Sequence, residues 1–312
     1  MNATELREAV LAALAPVADA VAADGGSRLD VRGSTHVRGA VGCAAAAALE
    51  GEEPFVASPA LAAWQIASTL TDRLVHGHRD PRQGAAATDP QQAFAVAWRE
   101  RARLDDWAWR WVVDEAGRAE RAVTVAEART RVAGLARLLP TWPAPAGHVG
   151  FRPGWSYPAR PLRLAGRVDL VLGRRDGGHT LVVALRGDHG PTTRPRLAFE
   201  ALVESLVLRR PPAAVLCLQP DAGRRWSVAV DDALLLEGVA VAATAAEVAL
   251  GARRADATGL PRRPSTQCRR CPFAASCEVG AAWLSGPGRL RSGFLPDALA
   301  CAADGEERHA TS

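Results

Sequence analysis

The sequence predicts an α/β protein, with a mixed central sheet, flanking helices and a helical N-terminal region. Three observations predict it. Apolar residues recur at helical spacing through much of the first 140 residues. After residue 147 the pattern changes to short runs rich in Val and Leu, separated by turns rich in Gly and Asp. Further segments of helical periodicity stand between and behind those runs.

The elements follow in order. Residues 4–22 place Leu6, Val10, Leu14, Val17 and Val21 at helical spacing, with Thr4 as the expected N-cap and Pro16 expected to bend or divide the helix. A second helix is predicted over 59–76, opening after Ser58-Pro59. Residues 79–88 read as a loop. Asp89-Pro90 then opens a long helical region to about residue 117, and another helix covers 124–139, ended by Pro140. Residues 163–172 and 180–186 are predicted as the two strands of a hairpin that turns through Asp176-Gly177-Gly178. A helix fits 195–209, two strands fit 213–219 and 225–230 with a turn at Asp221–Gly223, and a helix fits 232–252. This divides the chain into a helical part at 1–147, a core at 148–285 and a flexible tail at 286–312.

Composition sets the bounds. A chain of 312 residues and 32.8 kDa can bury a sizeable core, and 48% hydrophobic with 23% charged residues excludes a wholly disordered chain. The net charge of +4 and pI near 9.0 are compatible with nucleic acid without diagnosing it. All 38 basic residues are arginine, so chemistry that needs a lysine amine is excluded. The apolar run near 233–250 is interrupted by Glu237 and Glu247, and the N-terminus carries Glu5, Arg7 and Glu8. The expectation is a soluble, cytoplasmic protein with no membrane association.

The cysteines form the strongest local signal. They stand at 43, 217, 268, 271, 277 and 301, and Cys268, Cys271 and Cys277 make a C-x2-C-x5-C run. Thiols spaced this way bind a single metal centre from one turn and its return, and structural zinc or an iron–sulfur cluster takes four ligands. Cys43, Cys217, Cys301 or a histidine could supply the fourth. Cys217 sits inside an apolar strand and reads as a buried small residue; Cys301 falls in the tail. Iron–sulfur cluster, zinc and free thiols are the alternatives.

Trp98, Trp107, Trp109 and Trp111 stand among Arg99, Arg101, Arg103 and Arg110. Such interleaving suits stacking on bases, but Asp105 and Asp106 dilute the charge and core packing is the favoured reading. Arg262, Arg263, Arg269 and Arg270 flank the cysteine run, as a solvated basic face or a contact to a DNA backbone.

The segment Gly166-Arg167-Val168-Asp169-Leu170-Val171, followed by a Gly-rich turn and a second apolar strand, resembles the core hairpin of PD-(D/E)XK nucleases. It is most similar to their RecB/Cas4-like and AddB-like branch. The resemblance spans roughly residues 30–285 and implies a restriction-endonuclease-like sheet. It implies that Cys43, Cys268, Cys271 and Cys277 bind a 4Fe–4S cluster, which would close the 224 residues between Cys43 and Cys268. It also implies that His76, in Leu74-Val75-His76, and Asp169 help to hold catalytic Mg2+ or Mn2+, which activates water and neutralises phosphate charge.

The sequence departs from that pattern where the chemistry is done. The second carboxylate falls at Ala184, and the lysine falls at Arg186, which is too basic to act as a base. The family's Gln-x-x-x-Tyr motif falls near Arg196 and Glu200, and neither matches. Asp176 and Asp188 are alternative carboxylates, but moving a ligand from 184 to 188 displaces it by about 13 Å along a strand. Glu200 is the better candidate for a relocated carboxylate. The expected protein is a nuclease-like, 4Fe–4S-containing DNA-binding protein of the repair or recombination type, with hydrolysis lost. Asp169, His76 and Arg186 would be vestigial, and a helicase or nuclease subunit would be a partner. An active metal-dependent DNA exonuclease and a non-enzymatic protein scaffold are the alternatives.

Overall fold

A computed structural model of the chain describes residues 1–25, 27–33, 35–49, 57–77, 90–100, 106–138, 146–149, 153–174, 178–185, 192–254, 259–264, 268, 271, 273 and 276–286. The chain forms two compact units, Met1–Leu260 and Pro261–Ser312.

The larger unit is mixed α/β. Helix α1 (Ala3–Ala23) is capped by Asn2, not Thr4: the Asn2 side chain accepts from Thr4 N and Glu5 N, and Glu5 accepts from Asn2 N in return. Pro16 does not divide the helix. One backbone bond is forfeited there, at about 3 kcal/mol. Burial of Leu6, Val10, Leu14, Val17 and Val21 offsets it, at ~1.5–3 kcal/mol for each fully buried side chain. Strand β1 (Leu29–Arg32) and short helices α2 (His36–Val41) and α3 (Ala44–Leu49) follow, none of which has enough periodicity to announce itself in the sequence.

Helix α4 (Pro59–Gly77) is where the sequence places it. The long helix expected over 90–117 is instead α5 (Pro90–Glu100), then α6 (Trp107–Arg110), then a π turn over Trp111–Glu115. The break is chemical: Asp106 caps α6 by accepting from Ala108 N at 2.8 Å, and its other oxygen accepts from Thr69 and Gln65 of α4. Trp109 and Trp111 are buried with Phe94, and Trp98 stacks on Phe94 with ring centroids 6.1 Å apart, so this tryptophan cluster is core. Helix α7 (Arg118–Leu138) packs beside α4.

The remaining strands are β2 (Ala146–Val149), β3 (Gly154–Ser156), β4 (Leu162–Ala165), β5 (Leu170–Arg174), β6 (Gly178–Ala184), β7 (Ala214–Gln219) and β8 (Arg224–Ala229). The single strand expected over 163–172 is two strands in two sheets. β4 lies in a three-stranded sheet ordered β1-β4-β3, and β5 in a five-stranded sheet ordered β2-β5-β6-β7-β8. The chain changes sheet at Gly166-Arg167-Val168. The β5–β6 hairpin is antiparallel, and β6 pairs in parallel with β7 across the crossover helix α8 (Thr193–Leu208). Helix α9 (Asp232–Arg253) closes the unit.

Alternation along β5, β6 and β7 decides which helices cover which face. Leu170, Val182, Ala184 and Leu218 face α7 and Trp64 of α4. Val171, Leu181, Val183, Val215 and Cys217 face α8, which is also covered by α1, α9 and the three-stranded sheet. As a result Leu197 through Leu206 of α8 are all buried, including Glu200 and Glu204. Helix α9 is long and apolar enough to cross a membrane by length and composition; here Leu234, Leu235, Val239 and Ala242 belong to this core. In the smaller unit, α10 (Glu278–Ser285) begins at Cys277.

Phe199, wholly enclosed between α8's neighbours, gives the test of this arrangement. Phe199→Ala is expected to lower the unfolding free energy in urea by ~3–5 kcal/mol. Leu236→Ala, at an exposed position of α9, should stay within about 0.5 kcal/mol of the parent.

Candidate functional site

The sequence points to Asp169, and the fold gathers other chemistry-bearing residues around it. Asp169 sits where β5 begins. Its backbone N–H donates to Val182 O, and its Oδ2 accepts from Ala184 N at 2.7 Å. The hairpin therefore brings together the two positions that the nuclease resemblance pairs, 169 and 184. At 184 there is a buried methyl group and no oxygen ligand.

Asp169 is half-buried, at the wall of an apolar cavity of ≈ 20 Å³ lined by Trp64, Ser68, Thr71, Leu135 and Val182. That is room for about one water. Enclosure raises its carboxyl above the usual range, opposed first by the charge of Arg196. Arg131 of α7 closes this side of the sheet, with its guanidinium 5.0 Å from the Trp64 ring and its Nε 3.5 Å from Asp221.

Glu200 comes from the opposite face. Arg196, Glu200 and Glu204 are spaced by four and form one stripe along α8. Glu200 Oε2 accepts from Arg167 N at 2.6 Å, at the point where the chain leaves one sheet for the other. Gly166 and Gly33 make room for the carboxylate: a Cβ at Gly166 would collide with Oε2, and one at Gly33 would lie 2.6 Å from Oε1. Burial pushes the Glu200 carboxyl up to about 8, with Arg196 and the Arg167 N–H opposing and the Asp169 charge adding to the rise. Glu200 Oε1 and Arg196 Nε are buried without a hydrogen-bond partner. One turn further on, Glu204 Oε1 lies 3.4 Å from His179 Nε2, and both side chains are fully buried.

The other expected residues are distributed as follows. Cys217 is buried in β7, where enclosure pushes its thiol up to about 12, so it stays a neutral thiol. His76 lies on the last turn of α4, with only its backbone described. Arg186, Asp176, Asp188 and Cys301 lie outside the described residues. In the smaller unit Cys271 N donates to Cys268 O at 3.3 Å, and Cys277 Sγ accepts from Gly280 N at 3.3 Å. Cys43, Cys268, Cys271 and Cys277 form no disulfide.

The donor set can now be tested against the groups that the resemblance implies. Among the described residues no three His, Cys, Asp or Glu side chains converge as metal ligands. Asp169 has one oxygen engaged by Ala184 N, and Glu200 has one engaged by Arg167 N. Each keeps its other oxygen, but with alanine at 184 and no third ligand converging among the described residues they do not make the two-carboxylate cation site that the resemblance implies. The permanent charges that act on both carboxyls are those of Arg196, the larger effect, and Arg167. In the smaller unit three thiols within ten residues suit iron or zinc by donor chemistry, though the trio is not drawn to a common centre among the described residues.

No protein-family model matches this chain, and no curated protein matches it.

Sequence reasoning singled out Asp169, Ala184 and Glu200. It registered Arg196 only as a mismatch, and it missed the His179–Glu204 pair. The available signal was the four-residue spacing of Arg196, Glu200 and Glu204 in an otherwise apolar helix.

The buried titratable groups give stability a defined pH profile. Unfolded, Glu200 ionises near 4.5, whereas in the fold it keeps its proton to about 8. The fold binds more protons in that window, so stability falls as pH rises through it. His36 works in the other direction. Its Nδ1 accepts from Arg32 N at 2.9 Å, and desolvation lowers its value from 6.5 to about 4. Stability is lost as pH falls through that window. The two slopes oppose each other between about 4.5 and 6.5, and the Glu200 decline dominates from there to about 8. Urea unfolding at stepped pH should show that decline in the parent and a flatter curve in Glu200→Gln, which keeps an acceptor for Arg167 N. An equal decline in both proteins would refute the assignment.

Proposed function

We propose that this chain is a PD-(D/E)XK nuclease-like, DNA-binding protein of the repair or recombination type whose hydrolytic site has been replaced by an internally compensated one. A single observation carries the loss of hydrolysis: Asp169 spends an oxygen on the backbone N–H of Ala184, the position that must supply the opposing carboxylate. A metal-bound water needs its cation anchored on at least two sides, and alanine anchors nothing. Arg196 puts a permanent positive charge near Asp169 and Glu200. Without lysine anywhere in the chain, no amine is available to orient the attacking water.

The placement of Asp169 and Ala184 in a central hairpin, with helices on both faces, supports the nuclease-like reading. DNA as the partner rests on the resemblance and on the arginine excess. The 4Fe–4S cluster, with Cys43 as the fourth ligand, rests on the nuclease resemblance together with the C-x2-C-x5-C spacing. A helicase or an active nuclease subunit is the partner that a hydrolytically silent copy would serve.

The test is digestion of labelled DNA with Mn2+ beside a salt series of DNA binding. Binding that weakens steeply with salt, and no cleavage, is the expected result. Metal-dependent cleavage lost in Asp169→Ala would replace this reading with a working exonuclease that uses Glu200. Absence of binding at every salt concentration would leave a protein scaffold.

Iron and acid-labile sulfide measured on anaerobically purified protein test the cluster separately. Brown protein that loses its colour in Cys271→Ser is expected. A colourless, stable parent with stoichiometric zinc would refute the cluster.

A further inference from the structure

A second cleft lies in the larger unit and shares no residue with the site above. It measures ≈ 460 Å³, within the range of about 300–1,000 Å³ that small-ligand sites occupy. Its walls are the first turns of α1 with Thr4 and Arg7, strand β3 with Gly154 and Ser156, and the C-terminal end of α8 with Arg209.

Two arginines line this space, and a third, Arg163, lies over Gly154 in its wall. Arg7 and Arg209 line it and are exposed. Arg163 on β4 pairs with Ser156 on β3, so the two share a face of the three-stranded sheet. The Arg163 guanidinium lies so close over Gly154 that a Cβ there would collide with it. Gly154 therefore keeps open the place that this guanidinium takes. Arg209 adopts φ 54° and ψ 27°, the left-handed region that glycine usually supplies at a helix C-terminus. A non-glycine residue held there is strained.

The neighbouring carboxylates are engaged elsewhere. Asp30, across from Arg163 on β1, accepts from Arg28 at 3.1 Å. Glu5 accepts from the Asn2 backbone at 2.8 Å, and Asp232 pairs with the Met1 ammonium. Among the described residues no carboxylate is ion-paired with Arg7, Arg163 or Arg209. The carbonyls ending α8 account for one cation beside them, not for the other two.

We propose that this cleft binds a phosphoryl group carrying more than one negative charge. Two lining guanidinium groups, with a third beside Gly154, exceed what one carboxylate can neutralise, and their forked donors match phosphate oxygens. The phosphate belongs to a small phosphoester or to a polynucleotide backbone. The inference stands apart from the nuclease resemblance.

Calorimetric titration of the full chain with inorganic pyrophosphate tests it. The parent should bind, and Arg7→Ala/Arg209→Ala should bind at least tenfold more weakly with an unchanged melting temperature, since both side chains are exposed. Gly154→Ala, which displaces the Arg163 guanidinium, should weaken binding as well. No heat from the parent at millimolar pyrophosphate, or equal affinity in the double variant, would overturn the proposal. A short single-stranded DNA then separates the sources. A parallel loss of DNA affinity in the double variant assigns the site to a polynucleotide phosphate; unchanged DNA affinity assigns it to a small phosphoester.

Discussion

The enclosure of α8 is the constraint on which the rest of this structure depends. A crossover helix between parallel strands ordinarily shows one face to water. Here the sheet covers one side, and α1, α9 and the three-stranded sheet cover the others, leaving ten consecutive residues buried. Any polar residue in that stretch must find its partner inside the protein. Glu200 finds the Arg167 N–H, and Glu204 Oε1 lies 3.4 Å from His179 Nε2, within ion-pair distance but without a hydrogen bond between them. The raised pKa of Glu200 follows from that enclosure.

The candidate site is best understood as a charge balance. Two carboxyls approach the end of the central hairpin from opposite faces, and burial drives both toward the neutral form. Two like charges this close to one another add to that tendency at Glu200. An arginine one helical turn before Glu200 supplies a weaker and permanent compensation. Its charge cannot be titrated away or lost by chelation.

Much of this was legible in the sequence because long periodic segments are decided by burial. Helices α1, α4, α7, α8 and α9 fall within a few residues of where periodicity places them, apart from the early start of α7 at Arg118. Local chemistry defeated the pattern elsewhere. Asn2, the one asparagine in the chain, outcompetes Thr4 because its side chain reaches two N–H groups and its own N–H answers Glu5. Asp106 breaks a helix whose apolar spacing runs on, because Thr69 and Gln65 hold its other oxygen. The partners of Asp106 lie some forty residues upstream, so no window around it could reveal the break. At the site, the resemblance of the GRVD segment to a nuclease hairpin pointed to Asp169, while Arg196 acquires its meaning only from the sheet that packs over it.

The split of residues 163–172 shows how one side chain resolves a conflict between levels. By composition the run is a continuous strand, and continuity would place Arg167 N in a ladder. Instead the chain crosses from one sheet to another there, and Arg167 N would be left without a strand partner in a low-dielectric interior. Glu200 takes that N–H at 2.6 Å, in a recess that only glycines at 33 and 166 leave open. That bond engages Oε2 alone and leaves Oε1 buried without a hydrogen-bond partner. A carboxylate committed to the architecture in this way is a latch between two sheets, and the glycines at 33 and 166 are what let it close.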